Sequence, residues 1–319
     1  MDFLGGFIRK KIFYLFYFFS FIFAISPWLG SISNKIDRIS SFFPIFFPLL
    51  VIAVYLGFRD RPLRNLSLGC LILFTAGTTL APEFVVSNDK ILSKGKQLFI
   101  ISHNLKRLNF DARQTASKLV SSNADILILQ EWSDRLEPFR NQILTRFPFV
   151  AECEKGDVII FSRLALGKTR CRTIKPLWAN QVLLLSEIKL NDKSAATLAS
   201  WHPSWRLSRG HRQVTRHNLI EVFKEFESTR AILAGDFNMT PWNSGMRELQ
   251  AELSPLRRIT HAQFTFPARV RSVEWPFALL PIDHIFVGPA WSAISVHRMP
   301  RTGSDHYPLI THLQLREGY

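Results

Sequence analysis

Cysteine is scarce: the chain has three in 319 residues. Cys70, Cys153 and Cys171 do not have the spacing of a zinc site. Cys70 reads as a small apolar filler. Cys153 and Cys171 either pair in an oxidising compartment or remain two core thiols. No internal repeat is visible, and no Ser or Cys stands beside a base at a spacing that would suit a covalent nucleophile. Nor is there an aromatic-rich stacking patch interleaved with basic residues.

Charge is missing from three stretches, 12–32, 40–58 and 65–82. A bilayer span needs roughly 20 apolar residues, with about 17 as the lower limit. Three transmembrane helices are therefore expected at these positions. The first run follows Arg9, Lys10 and Lys11. It is too long and too rich in Phe and Tyr for a cleaved signal peptide, so it reads as an uncleaved anchor. Arg9–Lys11 and Arg59, Arg61 and Arg64 outweigh Lys35 and Arg38. That bias places the N-terminus inside and everything after about residue 85 outside. The expected division is a membrane anchor over 1–89 and one large domain over 90–319.

Acidic residues are outnumbered. The chain holds 40 Lys and Arg against 25 Asp and Glu, and 8 of the basic and 5 of the acidic residues precede residue 90, which leaves the large domain at net +12. Such a balance suits phosphates or an anionic membrane surface.

The large domain reads as short apolar runs that end in polar residues. Strands are expected at 98–104, 124–131, 158–163, 181–190, 196–203, 231–238, 282–288 and 308–315. Helices are expected at 111–123, opened by Asp111, at about 211–227 and at 245–253. Strands both alternate with helices and follow one another directly, which predicts a mixed α/β sandwich. In "AILAGDFNMTPWNS" the period of 2 turns Asp236 and Asn238 to one face and Phe237 to the core. Asn243 or Ser244 is placed to cap the helix that follows.

Asn104, Gln130 with Glu131, His202, and Asp236 with Asn238 all close apolar runs, while Asp283 and the pair Asp305 and His306 flank two more. Together they read as one convergent site. Glu131, Asp236, Asp283 and Asp305 would repel one another without a cation or a histidinium among them. Oxygen ligands with few thiols suit Mg²⁺ or Mn²⁺.

The ordered motifs Asn104, "LQE" (129–131), "WHP" (201–203), "GDFN" (235–238), "IDH" (282–284) and "GSDH" (303–306) resemble the endonuclease/exonuclease/phosphatase superfamily, from about residue 97 to 316. The string "AGDFNMTPWNS" with "FTFP" and "GSDHYPL" is similar to a bacterial membrane-anchored subgroup, some members of which act on lipid-linked pyrophosphate. The resemblance implies a DNase I-like four-layer sandwich of two mixed β-sheets flanked by helices. It implies that Glu131 is a direct metal ligand and Asp305 a further metal-side carboxylate. Asp236 would orient or deprotonate the attacking water. Asn238 would hold a phosphate oxygen, and Asn104 would position Asp236 or the phosphate. His306 would face the phosphoryl oxygens, held by Asp283, with His202 on the leaving-group side. One position departs from the pattern: nuclease relatives carry Asn-x-Asp on the first strand, and here Lys106 replaces the carboxylate. A second metal there is doubtful, and Lys106 becomes a candidate for substrate binding. Arg206 and Arg209, near a helix N-terminus, are candidates for a substrate-capturing rim.

The expected function is hydrolysis of a phosphoester or pyrophosphate, lipid-linked on the subgroup resemblance, by in-line attack of water. The expected setting is the bacterial inner membrane, with a periplasmic or extracellular catalytic domain. The alternatives are a nuclease acting on DNA or RNA, and a non-enzymatic membrane scaffold that keeps the fold.

Overall fold

The computed structural model describes residues 14–15, 18–19, 21–45, 47–48, 51, 62–85, 89–91, 94–174, 181–191, 194–205 and 209–319. Two compact units emerge, one of residues 1–86 with 240–248, the other of 87–239 with 249–319.

The larger unit contains fourteen strands among the described residues: β1 (Gln97–Asn104), β2 (Ile126–Gln130), β3 (Phe149–Glu152), β4 (Val158–Ser162), β5 (Leu166–Ile174), β6 (Gln181–Lys189), β7 (Ala195–Trp201), β8 (Ile232–Asp236), β9 (Arg257–Arg258), β10 (Arg269–Val270), β11 (Val273–Glu274), β12 (Asp283–Val287), β13 (Trp291–Arg298) and β14 (Leu309–Leu315). One six-stranded sheet runs β13-β14-β1-β2-β4-β3 and a second runs β5-β6-β7-β8-β12-β9, while β10 and β11 form a separate hairpin. Each large sheet is mixed: β1 is parallel to β2, β7 is parallel to β8, and the other pairings are antiparallel.

The sheets meet through a shared apolar layer. Ile100, Ile128 and Ile160 of the first sheet pack in one cluster with Leu184, Leu198 and Ile285 of the second. The alternate residues Ile101, Leu127, Leu129 and Phe161 face the other way, into a second cluster with Ala116, Leu119, Ile143 and Phe147. The period-2 pattern is thus doubled. Both faces of β2 and β4 are buried, so their sequences read as unbroken apolar runs. Helix Ala112–Ser121 covers the outer face of the first sheet, and Asp111 opens it, accepting from the Gln114 amide at 2.8 Å. Helix Arg209–Lys224 packs against β5 of the second. This is the expected two-sheet α/β sandwich flanked by helices. Cys153 and Cys171 are disulfide-bonded, with Cα atoms 5.9 Å apart, which links the end of β3 to β5.

One expectation is not met among the described residues, and one needs correction. Among the described residues no helix is long and apolar enough to cross a membrane. The expected span 40–58 lies largely outside the described residues, and 12–32 lies partly outside them. The third, 65–82, overlaps helix Pro62–Thr79, whose continuous apolar core is short. Its first turn holds Arg64 and Asn65, and its last holds Gly77, Thr78 and Thr79. The correction concerns the helix after the "GDFN" string, Ser244–Glu252.

That helix is not capped by its own preceding residues. Within the smaller unit, the buried carboxylate of Asp37 accepts from the Ser244 amide at 2.7 Å and from its hydroxyl at 2.9 Å. Asn243 is spent on other bonds: its Oδ1 accepts from the Thr240 amide and hydroxyl, and its Nδ2 donates to the Asp37 carbonyl and to Ser40 Oγ. The Trp242 indole donates to the Ser41 carbonyl at 3.0 Å. Segment 240–248 is therefore a docking strip for helix Asn34–Ser40. Asp37→Ala removes the cap, and should lower the unfolding free energy of the full chain by about 0.5–2 kcal/mol. A urea titration reads this as an earlier midpoint, and an unchanged midpoint would show that the cap contributes nothing.

Candidate active site

Strand direction decides which residues meet. Parallel pairing brings the ends of β1 and β2 together, with Asn104 opposite Gln130, and the ends of β7 and β8 likewise. Antiparallel pairing brings strand beginnings to the same edge. Asp283 opens β12 directly opposite Asp236 at the end of β8. Asp157, just before β4, takes the Trp132 amide at 2.9 Å and so stands beside Glu131. The residues ahead of β14 are fastened to the end of β1 by Ser304 Oγ, which donates to the Asn104 carbonyl at 2.6 Å and accepts from the His306 amide at 3.0 Å.

Close backbone approach makes room for this edge. A Cβ on Gly235 would stand 1.9 Å from the Trp201 carbonyl oxygen, so only glycine lets β8 run this near β7 just before Asp236. Three site residues leave their strands in the left-handed region: Lys106 at φ 59°, Glu131 at 56° and Asn238 at 51°. Side chains other than glycine are uncommon there, and they persist where the surroundings over-determine them.

Asn104 is the hinge of the site. Its buried amide donates to Asp236 Oδ2 at 3.0 Å and to Glu131 Oε1 at 3.1 Å. Glu131 Oε2 takes the Arg107 amide at 2.7 Å. Asp236 is 1% exposed. Its other oxygen accepts from the Asn238 amide at 2.8 Å, while Asn238 Nδ2 donates to the Pro203 carbonyl. His306 lies between two carboxylates, with Nδ1 2.8 Å from Asp283 and Nε2 3.7 Å from Asp236. On the other side His202 has Nδ1 3.3 Å from Asp157, and Nε2 3.7 Å from Asp236 and 3.8 Å from Glu131.

The protonation states follow from this packing. Burial pulls the His306 pKa down, but Asp283 and Asp236 outweigh it and hold the imidazolium to about 10. For His202 burial is again outweighed, by Asp157 first and then by Asp236 and Glu131, and the pKa rises to about 9. Asp236 is pushed up to about 6, because burial and the nearby Asp283 charge oppose what the histidines supply. Asp283 and Asp157 are held below the usual carboxylate range, the cost of burial being outweighed by His306 and His202 respectively. The edge carries two imidazolium ions among its carboxylates.

Asp236, Asp283 and His306 offer ligand atoms within 4.8 Å of one another, close enough to share a cation, although a metal there would have to replace the imidazolium proton. Glu131 and Asp305 are the further carboxylates of this edge, hard oxygen donors of the type that suits a divalent cation. The set fits, with one competitor: Lys106 Nζ lies 2.5 Å from Asp305 Oδ2. The lysine seen in the sequence as a departure is thus paired with Asp305, the carboxylate expected from the sequence on the metal side.

The structure brings Asn104, Lys106, Glu131, His202, Asp236, Asn238, Asp283, Asp305 and His306 to one edge. Arg206 lies outside the described residues, and Arg209 opens helix Arg209–Lys224. His284 faces away from the site, bonded to Thr260 Oγ1 and the Met239 carbonyl. Sequence reading missed Asp157, because it precedes an apolar run rather than ending one. It also missed His103, buried and bonded to Thr302 Oγ1 at 2.9 Å, and held neutral by burial with a pKa of about 3.

The sequence profile of the Endonuclease/Exonuclease/phosphatase family matches residues 101–306. No curated protein matches the chain by sequence. Among solved structures, an endonuclease/exonuclease/phosphatase family protein from Bacteroides thetaiotaomicron is similar, with a TM-score of 0.58, 16% identity, and coverage of 70% of this chain and 100% of that one. TDP2 from D. rerio, solved in complex with a single-strand DNA product, gives 0.58 at 17% identity over 68% of this chain and 98% of that one. A mannosyl-6-phosphatase from B. thetaiotaomicron gives 0.54 at 17% over 68% and 99%. These likenesses establish the fold.

If Lys106 competes for the metal-side carboxylate, Lys106→Ala should tighten Mn²⁺ binding by about 10-fold, the equivalent of roughly 1.4 kcal/mol. Electron paramagnetic resonance of free Mn²⁺ measures this without turnover. Weaker binding in the variant would mean that the ammonium does not compete with the ion.

Proposed function

The chain belongs to the endonuclease/exonuclease/phosphatase family, and from that membership we propose that it is a membrane-anchored, metal-dependent phosphohydrolase that cleaves a phosphoester or pyrophosphate by direct attack of water. The observation that carries the reading is the Asn104 amide, which ties Asp236 to Glu131 at 3.0 and 3.1 Å. It couples a buried base to a metal-side carboxylate in one rigid unit.

In this reading the chemistry runs on oriented charge. Asp236 takes a proton from water, with Asn104 and the Asn238 amide fixing its two oxygens. The His306 imidazolium, locked by Asp283, stabilises negative charge on the phosphoryl oxygens. The His202 imidazolium, held by Asp157, stands on the leaving-group side as a proton donor. Asn238 Nδ2 donates one hydrogen to the Pro203 carbonyl and has a second for a phosphate oxygen, and Lys106 lies within reach of an anionic substrate. Glu131 and Asp305 would hold Mg²⁺ or Mn²⁺. Such an ion, when bound, supplies positive charge against the phosphoryl oxygens.

Several features support the setting. The charge-free runs 12–32 and 40–58 support an anchor within residues 1–89. The Cys153–Cys171 bond suits an oxidising compartment, and hence a periplasmic or extracellular catalytic domain of residues 90–319 at a bacterial inner membrane. A lipid-linked phosphate is the substrate such an anchor would present. A nuclease is the second reading, favoured by the net +12 of the large domain and by the likeness to TDP2 bound to DNA product. The paired histidines and carboxylates argue against a scaffold without activity.

The test is a panel of prenyl pyrophosphate, a phosphomonoester and a nucleic-acid diester, given to the full chain with Mg²⁺ or Mn²⁺. Phosphate release is expected, and Asp236→Asn should cost about 10²–10⁴-fold in turnover. The pH profile of kcat/KM should be bell-shaped. It falls below about pH 6 as Asp236 gains a proton, and above about pH 9 as His202 loses one. Near-wild-type turnover by Asp236→Asn would contradict the mechanism, and strand cleavage of the nucleic acid with no phosphate released from the other two would favour the nuclease.

A further inference from the structure

One side of the site carries exposed apolar residues that the phosphoryl chemistry does not use. The chain between Thr265 and Leu280 projects as a loop, closed at its base by pairing of Phe266 with Leu280. It bears the hairpin of β10 and β11, whose turn includes Arg271 at φ 54°. Within eight residues Val270 is 46% exposed, Val273 65%, Trp275 39% and Phe277 67%. A row of large apolar side chains left in water marks a surface that meets something apolar.

The loop is fixed to the catalytic edge. The Ala268 amide donates to the Asp305 carbonyl at 2.6 Å, and the Tyr307 amide to the Thr265 carbonyl at 2.9 Å. The Trp275 amide donates to the Ala268 carbonyl, and its carbonyl accepts from Arg301 at 2.6 Å. The Phe266 ring lies 5.0 Å from the His306 ring. From the mouth outward, the Phe110 ring is flanked by two cations, Lys106 at 5.0 Å and Arg269 at 5.4 Å. Phe110 is itself half-exposed, and Leu108 beside it is exposed. An apolar strip edged with positive charge thus runs from the Asp305–Lys106 pair to the hairpin tip. Arg269 and Arg301 share one exposed carboxylate, Glu274, so the hairpin with Arg271 keeps a positive surplus.

We propose that this strip is a bilayer-docking surface. Val270, Val273, Trp275 and Phe277 enter the interface of an anionic membrane while Arg269, Arg271 and Arg301 meet the lipid phosphates. The proposal deepens the phosphohydrolase reading, and rests on it for the idea that the docked face presents a head group to Asp236. Two observations favour a bilayer over nucleic acid. Base stacking asks for aromatic platforms, whereas two of the four exposed side chains are aliphatic and stand on the hairpin itself. Aliphatic and aromatic tips bordered by arginine, with a tryptophan near the polar level, match the amphipathic composition of an interfacial element.

The test uses the full chain with Cys70→Ser, and Val273→Cys carrying an environment-sensitive fluorophore, in vesicles of equal parts phosphatidylcholine and phosphatidylglycerol. A second sample carries the label at the exposed Glu227, ahead of β8 at the opposite end of the sandwich. At 273 a blue shift is expected, together with quenching by nitroxide-labelled lipid. The effect should be several-fold weaker in pure phosphatidylcholine and absent at 227. Aqueous emission at 273 in both vesicle types would overturn the proposal, as would a shift produced only by a single-stranded oligonucleotide. Val270→Ser with Val273→Ser should lower turnover of a vesicle-embedded lipid phosphate about 10-fold more than that of a water-soluble phosphoester. Equal loss on both would also overturn it. Insertion at 273 without hydrolysis of either substrate would sink the phosphohydrolase reading and leave the docking surface standing.

Discussion

The catalytic edge depends on one buried contact, the imidazolium of His306 between Asp283 and Asp236. The two carboxylates face each other across paired strands, with ligand atoms inside 4.8 Å. Their repulsion at that distance is about 3–4 kcal/mol at an effective dielectric of about 20. Without a positive charge between them one would stay protonated, and Asp236 would be lost as the base of the proposed mechanism. His306 supplies that charge without leaving the protein. The second imidazolium, His202 on Asp157, does the same on the Glu131 side.

Much of the surrounding structure holds this balance in place. Ser304 fastens the His306 segment to β1. Asn104 holds Asp236 and Glu131 side by side against their repulsion, by donating to both. Gly235 lets β8 approach β7. The left-handed backbones of Lys106, Glu131 and Asn238 turn the chain sharply once each strand has delivered its side chain. Lys106 extends the same electrostatic logic to Asp305, setting a cation against a carboxylate. The site is an alternating set of charges on rigid strand ends, which matches what hydrolysis at phosphorus asks of a protein.

What the sequence made legible follows the same physics. The central strands β1, β2, β4, β6, β7, β8, β12 and β14 are buried on most of their length, and their apolar runs announced them. Of the strands that escaped notice, the two-residue β10 and β11 form the separate hairpin, and β3, β5, β9 and β13 all lie at edges of the two large sheets. There one face meets solvent, and residues such as Lys168, Arg170 and Arg172 interrupt the pattern. Site residues at the ends of parallel strands were readable. Asp157 was not, since its place depends on β4 running against β2, a pairing no local pattern reveals. The Asp37 cap on Ser244 was equally hidden, because it spans about two hundred residues of sequence.

Asp283 is expected to act through His306, and a double-mutant cycle measures that directly. Asp283→Asn, His306→Gln and the double variant would be compared by kcat/KM on whichever phosphoester the full chain hydrolyses. If Asp283 works by holding the imidazolium, each single change should cost about 10²–10⁴-fold, and the double should be no worse than His306→Gln alone. Losses that multiply in the double variant would contradict the account, since the two residues would then contribute independently and the buried contact would not be the centre of the site.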